Sequence, residues 1–245
     1  MTKSIMIIGP NGAGKTKIAF ELARRLGGEI VNLDRTYLYK HFPIVTGFQD
    51  TKQERGVKRH LYEILEPEEP SFSAADFAKL LIAKKNEIQE RGMFSIAEGA
   101  STHYVPELIK LNRTQRLFDL IIGVRFPEGE DPSSKYRKRI GQAFDDGMVE
   151  ELIGNMNLYE KSYLIKDCHA AVPTVDYLRG ACTLEEAKQE ILRRCLKYGD
   201  YQLSLFSGLE DVRWIEGGEV ARAVETIVRL IQNDLVADLN KAATK

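Results

Sequence analysis

Two hydrophobic periods alternate along this chain. Short apolar runs at residues 4–8, 29–33, 61–65, 94–97 and 117–124 have the length of strands, and several are separated by segments whose apolar residues recur every three to four positions. Residues 17–26 (KIAFELARRL) are the first such helical segment. Residues 72–82 are another, opened by Ser73 with Asp76 three positions on, close to a capping box. Strands alternating with helices predict an α/β fold, a parallel sheet flanked by helices. The pattern changes at residues 127–134 (PEGEDPSS), where turn residues cluster and the composition turns acidic. Beyond it the chain reads as helices. Thr183 and Glu186 take capping-box positions ahead of a helix over 187–198, and an amphipathic helix runs from residue 220 to about residue 239. A short run at 212–215 (VRWI) predicts a strand returning to the sheet, after which Gly217 and Gly218 free the chain to start the last helix. The expected organisation is an α/β core over residues 1–126 and a smaller, mostly helical part over 127–245.

The junction of the first strand and first helix holds the strongest chemical signal. "GPNGAGKT", residues 9–16, matches G-x-x-x-x-G-K-[ST] with a strand before it and a helix after it, which predicts a P-loop NTPase-like core. Gly9, Gly12 and Gly14, with Asn11 and Ala13 among them, let successive backbone N–H groups turn toward phosphate oxygens, and the helix aims its positive end at the same point. Lys15 adds a point charge and Thr16 a hydroxyl for Mg²⁺. Phosphate chemistry of this kind also calls for a carboxylate, commonly at a strand end. Asp34 and Glu98 both stand at such ends, and spacing alone does not choose between them.

Composition narrows the partners. With 35 basic against 36 acidic residues there is no overall field to draw in nucleic acid, so an RNA partner requires a local basic patch. Cys168, Cys182 and Cys195 fit neither a disulfide framework nor paired metal ligands, and His41, His60, His103 and His169 have no metal-site spacing; with Trp214, all are expected to be structural. No apolar run approaches the roughly 20 residues of a membrane span, and the N-terminus shows no leader pattern. The expectation is a cytoplasmic enzyme without a membrane partner.

The stretches "GPNGAGKT", "EIVNLDRTYLY", "PIVTGFQD", "RHLYEILEPEEPSFSAADF" and "FSIAEGAST", in this order and spacing, resemble the isopentenyltransferases that prenylate the N6 amine of adenine. A weaker likeness continues through "KRIGQAFDDGMVEEL" and "YLRGACTLEEAKQEILRRCLKYGDYQLSLF" to "VRWIE". The resemblance implies that the loop of Gly9, Asn11, Gly12, Ala13, Gly14, Lys15 and Thr16 cradles the diphosphate of dimethylallyl diphosphate. It implies that Asp34 takes the proton of the attacking amine, that Arg139 is a second cation on the diphosphate, and that Mg²⁺, held at Thr16, helps neutralise the leaving group. Arg35, Thr46, Gly47, Gly99 and Ser101 are implied to line the substrate channel.

The family has two branches, tRNA dimethylallyltransferases and adenylate isopentenyltransferases that make cytokinins. The tRNA branch carries a helical insertion after its counterpart of "HYVPELI", whereas residues 108–126 here run almost directly into the next strand. It also has an Arg-Gln pair where this chain has Asp200-Tyr201-Gln202, and a lysine near the place of Phe48 and Gln49. "LDR" at 33–35 and "AEGAS" at 97–101 look more like the adenylate branch. The resemblance thus implies dimethylallyl transfer to a free adenine nucleotide such as AMP, with tRNA not expected as a partner. A tRNA dimethylallyltransferase without the insertion stays open. So does a small-molecule or nucleotide kinase, in which the loop holds ATP, Arg137 and Arg139 close over the transferred phosphoryl group and Asp34 orients an acceptor hydroxyl. A nucleotide switch without turnover is the third class.

Overall fold

The computed structural model describes residues 4–47, 56–163 and 165–243; the place of Phe48 and Gln49 lies outside them. Six strands form one sheet in the order β3-β2-β4-β1-β5-β6, and every neighbouring pair is parallel. β1 (Ser4–Ile8), β2 (Gly28–Asn32) and β4 (Phe94–Glu98) are its centre, flanked by β3 (Arg59–His60) on one side and by β5 (Leu120–Arg125) and β6 (Val212–Glu216) on the other. β1 is buried from end to end, as a strand covered on both faces must be. Its side chains alternate: Met6 and Ile8 join one core, Ile5 and Ile7 the other.

The second core lies under α1 (Lys15–Leu26) and α10 (Val220–Ala243), which pack together across it through Ile18, Leu22, Val224 and Ile227. The first lies under α3 (Ala74–Glu90) and α4 (Val105–Gln115) and extends into the helices of the second half. There α5 (Pro132–Asp145) packs along α9 (Leu184–Ser207), with α6 (Met148–Gly154), α7 (Met156–Lys161) and α8 (Ala171–Leu178) beside them. A four-residue helix, α2 (Pro43–Thr46), faces α6. The capping box at Thr183 and Glu186 forms as expected, but α9 runs nine residues beyond the predicted end at 198, because the apolar series continues through Leu205 and Phe206.

Two strand expectations need correction. Residues 61–65 are not a strand. Leu61 (φ 62°) and Glu63 (φ 51°) are left-handed, and the N–H groups of Glu63, Ile64 and Leu65 bond to Tyr37 and Leu38 carbonyls, so the strand ends at His60 and Leu65 keeps only an isolated bridge to Tyr39. β5 begins at Leu120 rather than 117. Arg116 ends α4 in the left-handed region, and Phe118 N–H bonds the Asn112 side chain rather than a neighbouring strand.

Candidate active site

The loop between β1 and α1 is shaped by steric necessity at its first residue. Gly9 has φ 141°, and a Cβ there would sit 2.0 Å from the Val124 carbonyl oxygen, so no other residue fits. Lys15 opens α1, is buried, and donates from Nζ to the Pro10 carbonyl (3.0 Å) across the loop. Burial lowers its pKa, opposed by Glu98 and Asp34. Thr16 Oγ1 donates to Glu98 Oε1 (3.1 Å), bringing together the hydroxyl and the carboxylate at the end of β4. The two strand-end acids are thereby separated in role: Glu98 stands at Thr16, and Asp34 faces a cavity.

Asp34 follows β2 and is fixed by backbone on both sides. The buried Asn32 amide accepts from Asp34 N–H (2.7 Å) and donates to the Asp34 and Leu61 carbonyls (2.8 and 2.9 Å). Ala100 N–H donates to Asp34 Oδ1 (2.8 Å). Loss of water pushes the Asp34 carboxyl above its usual range, while Lys15, the Ala100 N–H and Arg139 pull it back in that order. Among the described residues Asp34 is in no direct ion pair; Lys15 and Arg139 act on it only through their charge.

The cavity, of about 360 Å³, has polar groups at Asp34, Arg35, Ser101 and Asn11 and an apolar wall from Ile140, Ala143, Met148 and Ile191. Of the channel residues expected, Arg35, Thr46, Gly47 and Ser101 line it. Their groups are partly engaged: Arg35 donates to Ser71 Oγ, Thr46 Oγ1 to the Phe42 carbonyl, and Ser101 Oγ accepts from Tyr104 N–H. Gly99 is not among the lining residues. It packs beneath, where a Cβ would fall 2.8 Å from the Asp34 nitrogen, so it permits the close approach that seats Asp34. Arg139, from α5, is exposed and reaches over the cavity to lie against Gly47, where a Cβ would be 3.4 Å from Nη2. Arg137 turns away toward Gln189 of α9, so the two-arginine lid expected for a kinase is not assembled.

Sequence reasoning missed the residues by which the second half holds the loop. Gln202, 1% exposed, accepts from Asn11 N–H (2.9 Å) and donates to the Ala100 carbonyl (2.8 Å), tying the phosphate loop to the strand turn that anchors Asp34. Tyr136 donates to the Asn11 carbonyl (2.6 Å). The available signal was its spacing: Tyr136 and Arg139, three apart, share one face of α5. Four residues expected to be structural, His103, Cys168, His169 and Cys195, also line the cavity. Burial pushes the Cys195 thiol up to about 11, which keeps it protonated at neutral pH. Among the described residues no cluster of three or more acidic, histidine or cysteine side chains is arranged for a metal, and no helix is long and apolar enough to cross a membrane.

Fold and site together define a P-loop α/β protein in which the glycine-rich loop opens beside a desolvated carboxylate and a half-apolar cavity. Residues 37–116 match the model of the IPP transferase family. A tRNA dimethylallyltransferase of Acetivibrio thermocellus is 24% identical over 293 aligned residues, covering 89% of this chain and 93% of the relative. One of Finegoldia magna is 38% identical over 103 residues, covering 42% of this chain and 32% of the relative. Among solved structures, the full-length tRNA isopentenylpyrophosphate transferase of Bacillus halodurans shares the fold with a TM-score of 0.84 at 22% identity, covering 99% of this chain and 100% of that one.

These relatives overturn one expectation. tRNA was set aside as a partner and the adenylate, cytokinin-making branch preferred, yet the relatives are named for tRNA. The missing insertion is real, since only four residues separate α4 from β5 and the aligned span of 293 exceeds the 245 residues here. It does not select the acceptor, because the chain aligns with tRNA enzymes over nearly its whole length without it.

Proposed function

We propose that this protein transfers the dimethylallyl group of dimethylallyl diphosphate to the N6 amine of an adenine in tRNA. The observation that carries the reading is the placement of Asp34, anchored by Ala100 N–H, on the same cavity that Asn11 of the phosphate loop and Arg139 border. In the step, the amine lone pair attacks the allylic carbon, the carbon–oxygen bond to diphosphate breaks with its electron pair leaving on the diphosphate, and the amine proton passes to Asp34. An exocyclic amine is a weak nucleophile, so alignment, a positioned base and cations at the departing oxygens supply the acceleration. Loop amides and Lys15 hold the diphosphate, and Arg139 meets its outer oxygens. The apolar wall of Ile140, Ala143, Met148 and Ile191 suits a five-carbon tail and excludes water. Thr16 Oγ1 and Glu98 Oε1 are the hard oxygen donors Mg²⁺ takes, with remaining positions left to substrate and water, and both would hold it. When bound, Mg²⁺ neutralises charge on the diphosphate. The adenine must leave its stack to reach Asp34, and a single-stranded loop gives it up at least cost.

The test is a transfer assay with Mg²⁺ and labelled dimethylallyl diphosphate, offering unmodified tRNA, AMP and ADP in parallel, with digestion and mass spectrometry of the adenosine. Label in tRNA adenosine is expected. Label confined to free nucleotide would refute the acceptor, and ATP-dependent phosphoryl transfer without prenylation would refute the reaction.

A further inference from the structure

The segment "GMVEEL", residues 147–152, carries in Glu151 a carboxylate that grips the cavity wall. Glu151 of α6 accepts from Ile44 N–H through Oε1 (2.7 Å) and from Val45 N–H through Oε2 (2.8 Å). Pro43 has no N–H, so this one side chain takes both N–H groups that the first turn of α2 presents. Asn155, four residues on, adds Nδ2 donation to the His41 carbonyl just before α2 (3.3 Å). A helix of four residues has almost no stability of its own. Its position therefore depends on what holds its ends.

That position matters because α2 is functional wall. Ile44, Val45, Thr46 and Gly47 all line the cavity, Gly47 backs the Arg139 guanidinium, and the Gly47 carbonyl accepts from Tyr37 Oη (3.3 Å). Arg139 is exposed, and its guanidinium is met by the Tyr37 hydroxyl, which itself bonds to the end of α2 at Gly47. We propose that Glu151 is a positioning residue: by capping α2 it sets the surface against which Arg139 rests, and so places that cation for the diphosphate. The inference rests on the proposed reaction for its substrate and on geometry for its mechanism. Charge-assisted bonds of this kind are about twice as strong as neutral ones, and a carboxamide supplies one acceptor where two are needed.

Glu151→Gln and Glu151→Asp, in the full chain with Mg²⁺, are compared with the unsubstituted protein by titration with inorganic diphosphate, by steady-state transfer and by thermal melting. Glu151→Gln is expected to weaken diphosphate binding and raise KM for dimethylallyl diphosphate by about tenfold, leave KM for the acceptor within about twofold, and melt within a few degrees of the parent, a loss of the size expected for one charge-assisted bond. Glu151→Asp, which keeps the charge, is expected to recover part of the loss. Unchanged diphosphate affinity in Glu151→Gln overturns the inference, as does a loss that falls equally on both substrates or that follows a matching fall in melting temperature. Failure of the parent protein to transfer a prenyl group while still binding diphosphate refutes the proposed function alone; the diphosphate titration still decides the role of Glu151.

Discussion

The sheet half and the helical half of the site hold their functional groups by different means. At the strand ends the positions follow from backbone: Gly9 lies against the Val124 carbonyl, Asp34 is bonded through Asn32 and Ala100, and Lys15 opens a helix whose entry is set by the loop. From the helical half the groups arrive on long side chains, Arg139 from α5, Gln202 from α9 and Glu151 from α6. In the proposed reaction the chemistry is thereby placed on rigid ground, and the contacts that would orient substrate are placed where single side chains can be exchanged without disturbing a strand.

Substitutions sharpen this contrast. The largest effect is expected at Asp34. Asp34→Asn can still accept from Ala100 N–H but not a proton, and kcat should fall by about 10²–10⁴, the usual worth of a positioned base, with diphosphate binding retained by titration. A variant that kept its turnover would remove Asp34 from the reaction. Next is Arg139→Gln, for which kcat/KM should fall by about 10², as for removal of one donor to a developing anion; Arg139→Lys should recover part of it. Gln202→Glu tests the tie between the halves: the carboxylate cannot donate to the Ala100 carbonyl, and a buried polar group left unpaired costs about 1–3 kcal/mol. Both melting temperature and kcat are expected to drop, whereas Tyr201→Ala next to it, on an exposed residue, should leave the melting temperature unchanged.

The smallest effect expected is in pH dependence. Burial raises the pKa of Asp34, and a base works only when ionised, so activity should be lost as pH falls through a limb lying above the usual carboxylate value of about 4. Arg139 opposes that rise, so its removal should move the limb upward in a kcat/KM profile. Because Arg139 is exposed, the displacement should shrink as salt is added.

The same contrast governs what could be read before the structure. β1, β4 and the loop were legible because a buried parallel strand followed by G-x-x-x-x-G-K-T carries its own pattern, and Asp34 because it ends such a run. β3 was misplaced because the apolar residues at 61 and 65 are buried by a left-handed turn, which periodicity cannot distinguish from a strand. Gln202 and Glu151 were not assigned roles because each acts more than a hundred residues away, on a backbone atom that leaves no trace in composition. The setting aside of tRNA failed for a related reason: a missing segment was taken to report a missing partner.

The proposed reaction requires that the loop hold a diphosphate whose departure releases an allylic carbon to an adenine amine. It is tested most directly in a single turnover with Mg²⁺, limiting labelled dimethylallyl diphosphate and excess unmodified tRNA, counting inorganic diphosphate and N6-dimethylallyladenosine together. Equal amounts appearing at one rate are the predicted result. Diphosphate released without prenylated adenosine, or neither product formed while a parallel reaction with ATP in place of dimethylallyl diphosphate transfers its terminal phosphate, would contradict it.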